Sequence, residues 1–332
     1  MSWIGLTDHQ DGRFARSGLD RDHSNAGRPK LLDRGTFMFE THVPGKVRPH
    51  DLVGITHHSP WPRALMFSAL PGGGVAMVHR RKDDLIHSAL QWSGDGRAHT
   101  LRVTYAWDTQ ASWGRLALEQ PAGGPTITNT VHAPHPQIAE DMRDLMLGAT
   151  ERTLSRDVLF AALSTKVTPI GPMPTLHPGT PIATPGGYKD AGRLQRGDTV
   201  ITDAGAIVPV LNIVRARMPA RGSFAPVRLR APYFGLTHDV VVAPEQRLVL
   251  RGSEVEYMFG QEAVLVPARH VVNGYAANWA TTGALIDYVQ VVLPGHEVLL
   301  AAGCPVESLY IGRIRRDEAR LAASVLHHAS SR

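Results

Sequence analysis

Hydrophobic and polar residues alternate along much of the first 120 residues. The pattern is clearest in five segments, at residues 36–43, 63–70, 75–80, 99–105 and 115–119. Alternation with a period of two is typical of half-buried antiparallel strands. The glycine-rich turn at residues 71–74 predicts that the second and third segments form a hairpin. Several such strands at regular spacing predict a β-sandwich over residues 1–135.

Other segments of the chain show different patterns. Residues 1–30 are polar, glycine-rich and charged, so we expect an edge or a loose arm there. Residues 137–163 carry apolar side chains at helical spacing, and Ser155 could cap a second helix within them. A cluster of proline and glycine then marks a linker, which makes residues 136–174 a helical segment followed by a domain boundary. Residues 313–332 predict a basic amphipathic C-terminal helix, which we expect to dock on its own domain.

Composition narrows the possible functions. The chain has 332 residues, with 43% hydrophobic and 20% charged residues, which fits two globular domains. The net charge of +5 is scattered and forms no basic stripe, so we expect no nucleic-acid partner. No apolar run is long enough for a membrane span, and no signal peptide begins the chain. We therefore expect a cytoplasmic protein, although secretion without a signal peptide stays possible.

Neither a cofactor nor a metal is expected. A single cysteine, Cys304, excludes a disulfide framework and a cysteine-based zinc site. The 17 histidines show no ligand spacing with a carboxylate partner. We interpret them as surface residues and Cys304 as a small, buried, apolar side chain.

Residues 179–312 carry a series of short motifs in a fixed order. They are G-T-P-I-A-T-P-G-G at 179–187, L-Q-R-G-D-T-V-I-T at 194–202, the strand-like segments 240–250, 264–272 and 288–293, and H-E-V-L-L-A-A-G at 296–303. Together these motifs resemble the bacterial Hint (hedgehog/intein) domain over residues 175–312. The resemblance implies an all-β horseshoe of long bent strands.

The same resemblance implies a self-cleavage site. Hint domains cleave the peptide bond before their first residue, a cysteine or a serine, whose side chain attacks the preceding carbonyl. That position is Thr175 here, so the scissile bond would join it to Pro174. A Thr/Ser-x-x-His motif normally supplies the hydrogen bonds and the proton; here it aligns with Ala243 and Gln246.

Further positions complete the comparison with the family. His296 matches a histidine that assists cleavage in some relatives, and its alternative role is to brace a strand. Gln290 stands where a histidine is expected. We interpret Glu307 as a structural residue whose carboxylate accepts hydrogen bonds from turn N–H groups. The substitutions at Thr175, Ala243 and Gln246 indicate a degenerate site.

The N-terminal region carries a second resemblance. A polar turn at 93–97, the strand that follows it to residue 105, and a hairpin with a strand at 113–118 resemble the concanavalin/laminin-G type of jelly roll over residues 35–119. Three hypotheses follow. The protein is a binding or scaffold module with an unknown protein or glycan partner, an active autoprocessing protein that cleaves before Thr175 by an N-to-O acyl shift, or a carbohydrate-binding or adhesion module.

Overall fold

The structure is a computed structural model that describes residues 3–19, 31–43, 48–93, 97–312 and 316–329. It divides into two compact units, Met1–Ile170 and Gly171–Arg332. Some sequence predictions fall outside the described residues. These are the second part of the N-terminal arm, the glycine turn at 94–96, and the basic positions Arg313 and Arg315.

The first unit consists almost entirely of strands. They are β1 (Trp3–Thr7), β2 (Gly12–Phe14), β3 (Leu31–Leu32), β4 (Arg34–Val43), β5 (His50–His57), β6 (Arg63–Ala69), β7 (Val75–Arg81), β8 (Asp84–Leu90), β9 (His99–Asp108), β10 (Trp113–Glu119), β11 (Ile127–His132), β12 (Gln137–Ile138), β13 (Arg152–Leu154) and β14 (Val158–Ser164). One helix, α1 (Ala139–Leu147), lies between β12 and β13. The five alternating segments of the sequence correspond to β4, β6, β7, β9 and β10.

Most of these strands form two antiparallel sheets, and β3 pairs separately with β12. One has the order β11-β10-β9-β4-β14-β1-β2 and the other β13-β5-β6-β7-β8. Phe37 and Phe39 from the first sheet contact Phe67 from the second, with ring centroids 5.4 and 5.2 Å apart. These aromatic side chains belong to one apolar core formed by both sheets. The predicted β-sandwich is thus confirmed.

The second predicted helix is wrong, because Val158–Ser164 is strand β14. It lies inside the seven-stranded sheet, between β4 and β1. The run V-L-F-A-A-L-S is continuously apolar, and such a run fits an interior strand as well as a helix. The helix predicted before it is present as α1, whose Met142 and Met146 belong to the core.

The expectation of a loose N-terminal arm is also wrong for its first residues. Trp3–Thr7 is a fully buried strand that pairs with β14 on one side and β2 on the other. Its four apolar or small residues form a short run, and the charged residues that follow make the whole segment polar on average. Burial of this strand therefore reflects long-range pairing rather than local composition.

The second unit is also mainly β. Its strands are β15 (Pro181–Thr184), β16 (Gly187–Asp190), β17 (Thr199–Ile201), β18 (Ile207–Pro209), β19 (Asn212–Pro219), β20 (Val227–Leu229), β21 (Val240–Val242), β22 (Arg247–Arg251), β23 (Ala263–Pro267), β24 (Ala277–Trp279), β25 (Leu285–Val292), β26 (Val298–Ala301) and β27 (Cys304–Glu307). Helix α2 (Ser253–Phe259) connects β22 to β23.

Several small sheets share the core of this unit. The largest has the order β16-β15-β26-β27-β22-β23, and the others are β17-β18, β19-β25 and β21-β20-β24. The longest pairing runs along β19 and β25, from Asn212 opposite Val292 to Pro219 opposite Leu285. Buried aliphatic side chains from all of these sheets form one cluster. The predicted all-β class of this half is confirmed.

The C-terminal segment forms two short helices rather than one. They are α3 (Glu318–Ala323), which Asp317 caps, and α4 (Val325–Ala329). Ser324 interrupts them because its hydroxyl accepts the N–H of Leu326, starting a new helix. Val325 and Leu326 pack into an apolar cluster with residues of β19 and β25, as expected for a docked segment. Among the described residues, no helix has the length and apolarity needed to cross a bilayer.

His79 and His135 of the first unit are buried, so the interpretation of the histidines as surface residues is wrong for these two. His79, on β7, is 5% exposed, and its ring meets that of His135 edge-on at 5.0 Å. Burial, followed by the nearby charges of His135 and Arg81, lowers the pKa of His79 to about 3. This imidazole is therefore neutral at physiological pH.

We expect Leu163→Ala to lower the free energy of unfolding of the first unit by about 2–5 kcal/mol. Leu163 is fully buried on an interior strand, and truncation leaves a cavity. Denaturant unfolding measures the change. Leu85→Ala, at a position 55% exposed, is the control and should stay within about 0.5 kcal/mol of the original. Equal effects would contradict the buried-strand assignment.

We also expect stability to fall in mild acid because of His79. Its native pKa of about 3 lies below the ordinary value, so the unfolded chain binds a proton that the native state does not. The contribution of neutral His79 to the free energy of unfolding is fully present above pH 6.5. It decreases by about 1.4 kcal/mol per pH unit as the pH falls toward 3. Urea unfolding at pH 7 and pH 5 should show a smaller loss in His79→Gln than in the original chain.

Candidate functional site

Thr175 lies at a fixed place in the second unit. The adjoining residue, Leu176, inserts between β21 and β25 by bridging to Val242 and Val289. The N–H of Leu176 donates to the Val289 carbonyl at 3.1 Å, and the return bond is 2.8 Å. The carbonyl of Thr175 itself accepts the N–H of Ala243 at 2.6 Å. These backbone bonds hold the Pro174–Thr175 peptide beside the turn that contains Ala243.

The Thr175 hydroxyl has a defined hydrogen-bond partner. Its Oγ1 donates to Oε1 of Gln246 over 2.6 Å. The Nε2 of Gln246 donates to the carbonyls of Arg247 at 2.9 Å and Glu307 at 3.1 Å. Since both amide hydrogens are used by carbonyls, the amide oxygen must face Thr175. Gln246 is 2% exposed, so water does not compete for these bonds.

Ala243 completes this group. It is buried, and its carbonyl accepts the N–H of Gln246 at 3.0 Å, which closes the turn between β21 and β22. Its methyl group offers no hydrogen bond. The structure thus brings three of the predicted positions, Thr175, Ala243 and Gln246, into direct contact.

His296 joins the same network through Glu307. Its Nε2 lies 2.9 Å from Glu307 Oε1, and Arg247 Nη1 lies 3.3 Å from the same oxygen. The ring of Tyr310 packs against His296 at 4.8 Å. The interpretation of Glu307 needs correction, because its carboxylate binds these two side chains rather than turn N–H groups. Glu307 therefore connects His296, by its side chain, to Gln246, by its carbonyl.

Gln290 approaches the network from β25. Its Nε2 donates to the Glu307 carbonyl at 3.2 Å, so two amides converge on one backbone oxygen. Gln290 is recognisable as a site position from the sequence, whereas Arg247 is not. Arg247 reaches Glu307 because β22 pairs with β27, where Leu248 lies opposite Val306. No local sequence signal reports that pairing.

Cys304 takes no part in this network. It begins β27 and is fully buried, which confirms the interpretation of a small apolar residue. Burial raises the pKa of its thiol to about 12. The thiolate, which is the nucleophilic form, is therefore scarce at neutral pH.

The chemistry available at Thr175 is limited. Its hydroxyl proton points at an amide oxygen, which is not a base at neutral pH. The imidazole of His296 pairs with the Glu307 carboxylate. Within the part of the chain that the structure describes, no set of three histidine, cysteine or acidic side chains is arranged to hold a metal.

Several comparisons with known proteins bear on this unit and on the first. The MchDnaB-1 intein is similar to 40% of this chain and 99% of its own length, at 12% identity and a TM-score of 0.30. The CBM40 of a Ruminococcus gnavus IT-sialidase is similar to 51% of this chain and 89% of its own, at 14% identity and a TM-score of 0.33. The LG1–3 region of the laminin alpha2 chain is similar to 92% of this chain and 66% of its own length, at 9% identity and a TM-score of 0.30.

Structural scores at this level support no conclusion about function. A search of curated proteins found no match to the sequence. The sequence model of the Hint domain, in contrast, matches residues 174–313, which include Thr175, Ala243, Gln246 and His296. This match begins one residue before Thr175, where the resemblance placed the scissile bond. Residues 174–313, which lie within the second unit, are therefore assigned to the Hint domain family.

Proposed function

We propose that this Hint domain does not cleave its own chain and that the protein acts as a binding or scaffold module. One observation carries the proposal: the Thr175 hydroxyl donates its proton to the amide oxygen of Gln246 at 2.6 Å. In this form the two units stay covalently joined through Pro174 and Thr175. A protein or glycan partner would bind the intact chain.

An acyl shift at Thr175 must move a proton. Attack by a threonine hydroxyl requires a base to accept its proton and an acid to protonate the leaving nitrogen. An amide does neither at neutral pH, and the loss of a positioned acid–base group costs roughly 10²–10⁴ in rate. The carbonyls of Arg247 and Glu307 hold the Gln246 amide in this orientation, so a side-chain flip would break two hydrogen bonds.

Two further features support the same conclusion. Ala243 lacks the hydroxyl that the family motif provides, and loss of a donor to the developing charge costs roughly 10²–10³ in rate. Cys304 cannot replace the missing nucleophile, since it is buried at the start of β27 with a raised pKa. The strand pairings that fix Thr175 are nevertheless present.

We expect the purified full-length chain to remain intact at 36.1 kDa during prolonged incubation at neutral pH. Dithiothreitol or hydroxylamine should not change the result, because no ester or thioester forms at Thr175. Intact-mass spectrometry measures this directly. A fragment that begins at Thr175 would show that the proposal is wrong.

A reversion variant provides the positive counterpart. We expect Thr175→Cys/Ala243→Thr/Gln246→His to release a fragment in dithiothreitol, because it restores the thiol, the hydroxyl and the proton donor. The matched control Ala243→Thr/Gln246→His keeps Thr175 and should cleave far more slowly. Thr175→Cys alone should also cleave more slowly than the triple variant, by a factor of roughly 10²–10⁴, because it lacks the acid–base group.

The reversion experiment needs evidence of folding, because Gln246 is buried. Circular dichroism and the thermal midpoint of each variant should match those of the original chain. A folded triple variant that stays intact would mean that Thr175, Ala243 and Gln246 are not what prevents cleavage.

A further inference from the structure

A cleft lies at one end of the five-stranded sheet in the first unit. It opens to solvent and encloses little closed space. The lining residues that matter here are Trp61, Arg63, His79, Arg81, Gln137 and Asp141. They come from the β5–β6 turn, from β6, β7 and β12, and from α1. This cleft is independent of the Hint domain and of the fate of the Pro174–Thr175 bond.

Arg63 forms part of the wall of this cleft. Its Nε and Nη2 bind the two oxygens of Asp141 at 2.8 and 3.1 Å. Its Nη1 also donates to the Ser59 carbonyl at 2.7 Å, and its guanidinium lies 5.3 Å from the ring of Trp61. The charge of Arg63 is thus neutralised and its geometry fixed. Arg63 holds Trp61 in place, but because its N–H groups are already bonded it cannot serve as the principal partner of a bound anion.

Arg81 differs from Arg63 in this respect. Its guanidinium is half-buried and makes no hydrogen bond or ion pair with the residues that the structure describes. Its charge helps to lower the pKa of both His79 and His135, after the larger effect of burial. The Arg81 guanidinium thus has no carboxylate bound to it among the described residues, and its charge acts on both imidazoles.

The imidazoles supply donors that protein groups do not fully satisfy. A neutral imidazole keeps one N–H. The side-chain group nearest the ring of His79 is the Gln137 amide nitrogen, 3.4 Å from each ring nitrogen, which is itself a donor as placed. The Nε2 of His135 is buried without a hydrogen bond and lies 3.5 Å from Asp84 Oδ2.

The lining of this cleft suits an anion better than a metal ion. The positive charge of Arg81 disfavours a metal ion beside His79 and His135, and no three-ligand set exists among the described residues. Asp84 opposes an anion, but its side chain is 72% exposed, so water and salt screen its charge. The free guanidinium and the N–H groups favour an oxyanion.

We propose that this cleft binds the carboxylate group of a small acidic ligand. The guanidinium of Arg81 pairs with the carboxylate through parallel N–H bonds, and His79 donates its N–H at the buried end. The face of Trp61 covers the adjoining apolar part of the ligand. This division of roles, one charged anchor within a partly apolar wall, is common in small-molecule sites.

The test is an NMR titration of the full-length chain with sodium acetate, at ionic strength held constant with sodium chloride. Single His79→Gln and His135→Gln variants assign the imidazole signals. We expect saturable shifts of the His79 and His135 signals. Arg81→Gln should weaken binding about tenfold or more, the effect of losing one charge-assisted hydrogen bond.

Controls separate binding from general electrostatics. Arg156→Gln removes the same charge from an exposed position in the same unit and should leave the affinity unchanged. Arg81→Lys keeps the charge but lacks the two parallel N–H donors of the guanidinium, so it should bind with intermediate affinity. This variant also provides a test if Arg81→Gln does not fold. Shifts that fail to saturate, equal effects of Arg81→Gln and Arg156→Gln, or a response to zinc but not to acetate would each overturn the proposal.

Discussion

A single backbone carbonyl organises the centre of the Hint domain. The carbonyl of Glu307 accepts hydrogen bonds from the amides of both Gln246 and Gln290. Because this bond and one to Arg247 consume the amide hydrogens of Gln246, its oxygen is left to face Thr175. The state of the Thr175 hydroxyl thus depends on where β27 places residue 307. A buried amide held at both ends is rigid, since any flip would leave unpaired polar atoms without water.

The same residue links the buried centre to the surface. The carboxylate of Glu307 binds Arg247 and His296, both of which are partly exposed. Acid–base groups are therefore still present near the Hint site, but they pair with each other instead of with Thr175. The framework that would hold a reacting peptide persists, while the hydrogen bonds at its centre favour the unreacted hydroxyl. The strand pairings that fix Thr175 are thus present together with a hydroxyl that is hydrogen-bonded to an amide.

In the first unit, hydrophobic alternation along the sequence predicts some strands correctly and misses others. Alternation located the strands that have one face in the core, such as Arg63–Ala69, because their period of two is visible in the sequence. It failed for Val158–Ser164, where a strand lies between two others and nearly every residue is apolar. It failed again for Trp3–Thr7, whose partners lie about 10 and 160 residues away along the chain. The cleft beside Arg81 also depends on such distant contacts, since His79 and Asp141 come from separate elements.

The sequence by itself determined the β class of both halves and the Hint resemblance of the second, and it identified Thr175, Ala243 and Gln246 as the positions to compare with the family motif. Residue identity is enough for those conclusions, because a missing hydroxyl or imidazole cannot be restored by folding. Only the tertiary structure decided that the Thr175 proton points at an amide oxygen, that Glu307 binds His296 and Arg247, and that His79 is buried. Each of these depends on strand register and on burial, and both are set by contacts between residues far apart in the chain.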